Sequence, residues 1–125
     1  MHQKLGAILA TVFFLIPSVT RAVTQEDFLV RNTQNLLNLC TASASDPLYK
    51  EAIHMCHGYL IGAVHYHQAA TAHGSKRLVC LPDPPPARNE AIDMFIEWLK
   101  ARPQYMKELP VETEFRFLIE KWPCK

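Results

Sequence analysis

Five histidines between positions 54 and 73 and four cysteines between 40 and 124 are the side chains with the widest chemical reach in this sequence. Histidine suggests metal binding or proton transfer. A zinc site needs three or four converging ligands. His54 and His57 stand three apart, but Ile61 takes the place where a third ligand would follow one turn on. His65 and His67 are about 200° apart on a helix. No metal site is expected from this spacing, and no cofactor. The histidines read instead as surface side chains, with one half-buried, that could tune binding. The cysteines, Cys40, Cys56, Cys80 and Cys124, form no C-x-x-C pair and no haem-attachment motif. Their even number reads as two disulfides, with no thiol left as a nucleophile. There is no G-x-S-x-G turn and no glycine-rich phosphate loop, and the carboxylates are scattered. No catalytic residue is identified. The expectation is a binding protein and not an enzyme.

Disulfides require an oxidising compartment, and the start of the chain supplies a route to one. Lys4 precedes an apolar run over residues 5–16, Pro17 and Ser18 break it, and Thr20 and Ala22 place small residues before a cleavage point. That pattern reads as a secretory signal over residues 1–22, too short to span a bilayer. Residues 23–125 are then one exported domain, with no membrane association after cleavage. Taking Lys4 and Arg21 from 13 basic residues leaves 11 against 12 acidic ones, a net charge of −1. Such a balance argues against a nucleic-acid partner, whose affinity comes mainly from phosphate neutralisation.

The elements that must hold the cysteines read as helices. Thr24 and Asp27 form a capping-box-like start for a first helix over 25–40. Asp46 and Pro47 open a second over 47–72. On it Tyr49, Ile53, Cys56, Leu60, Ala63, Val64 and His67 share a face, widened by Met55, Tyr59 and Tyr66, so this helix is expected to be the central one. Gly58 and Gly62 lie opposite that face. They read as a site of close packing within the chain, with contact to a subunit or ligand as the alternative. Prolines 82, 84, 85 and 86 exclude regular helix and stiffen the following segment. Residues 78–80 could form a short strand, but nothing nearby offers a partner. A third helix follows over 88–101, with Ile92, Phe95, Ile96 and Leu99 inward. A fourth covers 110–121, with Val111, Phe115, Leu118, Ile119 and Trp122 inward and Glu112 and Glu114 complementing the helix dipole. The expected fold is all-α, a small four-helix domain of two helical hairpins.

Antiparallel hairpins bring the end of one helix beside the start of the next. This pairs Cys40 with Cys56 and Cys80 with Cys124, closures contributing about 3–4 kcal/mol each in the chain-entropy picture.

The order Cys40, Cys56, Gly58-Tyr59-Leu60, Gly62, then Cys80-Leu81-Pro82, Arg102-Pro103 and the closing Trp122-Pro123-Cys124 resembles the Rap/Tai-type immunity proteins. The proline run at 84–86 and the sequence TEFRFLIEK in the fourth helix depart from that pattern. The resemblance implies a periplasmic all-helical protein, with homodimers expected, that binds and inhibits a peptidoglycan amidase delivered by type VI secretion. The segment after the second helix, with His73, Lys76 and Arg77, is the surface expected to meet that effector; the alternative is a plain solvated connector. A second reading is a periplasmic acid-stress chaperone of the HdeA type, which works by partly unfolding at low pH. Two disulfides spread across the chain oppose that.

Overall fold

The computed structural model describes residues 21–125. The signal-peptide reading falls on residues 1–22 and so lies almost wholly outside them. The chain forms a 3-10 turn (Gln25–Leu29) followed by α1 (Thr33–Cys40), α2 (Tyr49–Ala72), α3 (Arg88–Lys100) and α4 (Pro110–Lys121). A second short 3-10 turn, Pro103–Tyr105, joins α3 to α4. The fold is all-α, as expected, and both disulfides pair as expected: Cys40 with Cys56 and Cys80 with Cys124.

The single first helix expected over 25–40 is two elements. Val30 adopts a left-handed conformation at φ 46°, and Asn32 begins again as a helix cap, its side chain accepting from the Asn35 N–H. The break is held by Asp27, which is buried. Its carboxylate accepts from the Thr24 N–H at 2.9 Å, the Thr24 hydroxyl at 3.0 Å, Asn35 Nδ2 at 3.2 Å and Asn38 Nδ2 at 2.8 Å. Burial favours the neutral acid, but these hydrogen bonds outweigh it and hold the carboxyl below its ordinary value.

The first N–H groups of a helix have no partner inside it. In α1 each finds one. Thr33 donates to the Glu108 carbonyl at 2.9 Å and Gln34 to the Met106 carbonyl at 3.0 Å. The Thr33 hydroxyl also donates to the Glu108 carbonyl, at 3.0 Å, which leaves it to accept from the buried Thr113 hydroxyl at 2.8 Å. The short α1 is thereby docked on the segment that leads into α4.

This makes α1, and not α2, the central helix. It packs against each of the other three, with Leu36 and Leu39 wholly buried. The fully buried residues of α2, Ala52, Cys56 and Leu60, all lie in its first half, with Val64 half-buried against the core beyond them. Beyond Leu60 the helix has no fully buried residue, and Tyr66, expected on the inner face, is 77% exposed. The inner face of α4 is also rotated from expectation. Pro110, Thr113, Glu114, Phe117 and Leu118 are buried, whereas Val111 and Ile119 are exposed. Two polar residues therefore occupy places that an apolar pattern assigns to hydrophobes.

The segment at 78–80 does find a partner. Val79 pairs with Pro123 in an antiparallel bridge, and the Cys80 N–H donates to the Trp122 carbonyl at 2.9 Å. The Cys80–Cys124 disulfide lies beside this pairing, so the last residues clasp the proline-rich segment to the end of α4.

Gly58 and Gly62 do not serve close packing. Among the described residues a methyl group at either position meets nothing within 4 Å, and both are exposed. Gly58→Ala and Gly62→Ala are expected to raise stability by about 1 kcal/mol each through helix propensity. Urea unfolding at low protein concentration measures this; no gain would mean that the glycines are held for another reason.

Candidate functional site

The second half of α2 has a groove on either side. One groove, of about 330 Å³, lies between α2, the strand-like segment after it and α4. His67 spans it: its Nε2 accepts from the Leu78 N–H at 3.3 Å, and its ring meets Phe115 edge-on at 5.2 Å. The position predicted for His67, on the inward side with Cys56, is therefore half right. The ring is half-buried and braces the loop.

The three residues expected to contact an effector sit at this end. His73 caps the C-terminus of α2, and Gly74 follows with φ 100°, a conformation that glycine takes without strain. Lys76 and Arg77 are exposed, and neither makes an ion pair among the described residues. Arg77 lines the groove with His67 and Thr71, whereas His73 and Lys76 lie outside its lining. The remaining histidines, His54, His57 and His65, are spread along α2, exposed or half-buried.

The other groove, of about 380 Å³, opens where α2 and α3 diverge, with α4 beneath. Leu60, Ile92, Phe95, Phe117 and Leu118 make it apolar, and Pro85, Pro86 and Trp122 also line it. Glu114 lines it too, only 3% exposed, and its Oε2 has no hydrogen-bond partner among the described residues. Burial pushes the Glu114 carboxyl up to about 9. It therefore carries a proton at neutral pH and does not supply the negative charge expected at the start of α4. On α2, burial also pushes the Tyr59 phenol up; a backbone hydrogen bond at Val111 opposes this, and Glu114 adds to it. Sequence reading missed this site because a glutamate near the start of a helix normally faces water. A break in the apolar spacing of α4 was the signal available.

The two buried acids act on stability in opposite directions. Glu114 rises from 4.5 to about 9 on folding, so the cost of burying its charge is absent below about pH 4.5 and grows as pH rises toward 9, where stability is lost. Asp27 is held below 3.8, so its contribution is complete above that value and is lost as pH falls through the lowered one. Stability is expected to peak near pH 4–5 and to fall by up to about 1.4 kcal/mol per pH unit between about pH 5 and 8. Glu114→Gln should flatten that limb in urea titrations. An unchanged slope would assign the loss to other groups.

The family model for Rap1a immunity proteins matches residues 32–124. Neither a curated protein nor a solved structure matches the chain. The matched span runs from the Asn32 cap of α1 to Cys124 of the second disulfide, and so contains all four helices, both bridges and both grooves. The chain belongs to the Rap1a immunity protein family, whose members protect against secreted toxins and are generally non-enzymatic.

Proposed function

We propose that the protein is exported to the periplasm, with residues 1–22 as its cleaved signal, and there binds and inhibits a peptidoglycan amidase delivered by type VI secretion. The observation that carries this reading is the family match over residues 32–124, with every helix and both disulfides inside it. The two disulfides fit an oxidising compartment. Among the described residues, no helix is long and apolar enough to cross a membrane.

An inhibitor gains affinity when little of its surface must be ordered on binding. The Cys80–Cys124 clasp, the bridge at Val79 and the brace from His67 each hold the segment after α2 in place. In this reading that segment enters or covers the toxin's cleft, and His73, Lys76 and Arg77 make the contact. A homodimer belongs to the same proposal. The exposed face of α2 with Met55, Gly58, Gly62 and Tyr66 is the surface it would use.

Co-production of the full chain should rescue cells that carry a periplasmic amidase toxin of the type VI kind. The double variant Lys76→Ala/Arg77→Ala should weaken binding to that toxin by tenfold or more, about 1.4 kcal/mol. Rescue with unchanged affinity would discard these contacts and keep the function. No rescue from any such amidase would discard the toxin class.

A further inference from the structure

Glu114 has the properties of an unfinished contact. A carboxyl buried without a hydrogen-bond partner costs stability, and replacement by an apolar residue of similar size would remove that cost. The groove above it is walled by Leu60, Phe95, Phe117, Leu118 and the two prolines, and among the described residues none bonds its Oε2. An apolar slot with a carboxyl at its base matches one class of side chain. Lysine and arginine carry a methylene stem that packs on apolar surface and a charged head that a carboxylate binds.

We infer that the groove between α2, α3 and α4 receives a lysine or arginine side chain of the protein's toxin partner, with the stem against the apolar walls and the head on Glu114. The inference rests on the reading of the protein as a toxin-binding one, and it adds a second contact region to the segment after α2. The charged and titratable groups around Glu114 are Tyr59 and His65 on α2 and Arg88 on α3; Leu81, Pro85 and Pro86 of the proline segment add none. His65 and Arg88 are exposed, where solvent screens their repulsion of an entering cation. The attraction to Glu114 acts inside the groove, where screening is weak. Entry of the cation favours the ionised form of Glu114, so binding is coupled to proton release and tightens as pH rises.

The test follows the Glu114 carboxyl carbon by NMR across a pH titration of the intact protein, assigned with Glu114→Gln. The probes are n-butylguanidinium and n-butylammonium, with neutral n-butylurea as the control. With either cation at tens of millimolar, the Glu114 midpoint should move down by about one pH unit, a tenfold preference for the ionised form. Butylurea should leave it in place. An unmoved midpoint with both cations overturns the inference, as does an equal response to butylurea, which would mark a purely apolar slot. A midpoint that falls with protein concentration alone would seat a second copy there and overturn it too. If Glu114→Gln fails to fold, the wild-type comparison of cation with urea still decides. Failure here alongside rescue from the amidase would remove the groove from the interface and leave the proposed function standing.

Discussion

The structure depends on how the eight-residue helix α1 is anchored at its start. A helix of two turns is not stable alone, because nucleation is costly and few hydrogen bonds follow it. Here every N–H of its first turn is satisfied: Thr33 and Gln34 by the carbonyls of Glu108 and Met106, Asn35 by the Asn32 side chain, and Leu36 by the Asn32 carbonyl. The Thr33–Thr113 hydroxyl pair adds a buried link to α4. With α1 pinned to the α3–α4 hairpin at one end and bridged to α2 through Cys40–Cys56 at the other, the two hairpins become one body.

This anchoring explains the grooves. Because α1 is short, it fills the space beside only the first half of α2. The rest of α2 meets the core only through half-buried residues such as Val64, and α2 and α3 hardly touch. The space between them stays open above α4, with Glu114 at its base. A second fastening, through Cys80–Cys124 and the Val79–Pro123 bridge, holds the proline segment beside the same region. The surface around the end of α2 is therefore recessed and apolar yet fixed in shape, which suits recognition of a protein partner.

On the outer side of the α3–α4 hairpin, charge and aromatic rings are arranged for stability. Arg102 lies 4.2 Å over the Trp98 ring, Trp98 stacks on Tyr105 at 5.6 Å, and Arg116 lies 5.1 Å from the Tyr105 ring. Glu120 accepts from both Trp98 and Arg102, and Glu108 accepts from Arg116. Partly exposed cation–aromatic and ion pairs contribute modestly one by one. Joined in a ladder, they fix the angle between α3 and α4, and so the side of the groove that those helices form.

The sequence by itself determined the helical class, the last residue of α2, both ends of α4, those of α3 to within one residue, and both disulfide pairs; Asp46 and Pro47, read as the cap and first residue of α2, instead form a turn before it, and the helix begins at Tyr49. Those features depend on local signals: prolines and glycine at boundaries, apolar residues at helical spacing, and cysteines at ends that antiparallel hairpins bring together. The interruption at Val30, the central place of α1 and the inward face of α4 were decided only by tertiary structure. Each depends on a polar group whose partner lies far along the chain or inside a cluster, as with Asp27 among its asparagines and Thr33 against Thr113. Apolar periodicity places hydrophobes inside and cannot register a polar residue whose burial a distant hydrogen bond makes possible. Glu114 is the extreme case. Only the packed structure shows that it is buried and that, among the described residues, its Oε2 has no partner.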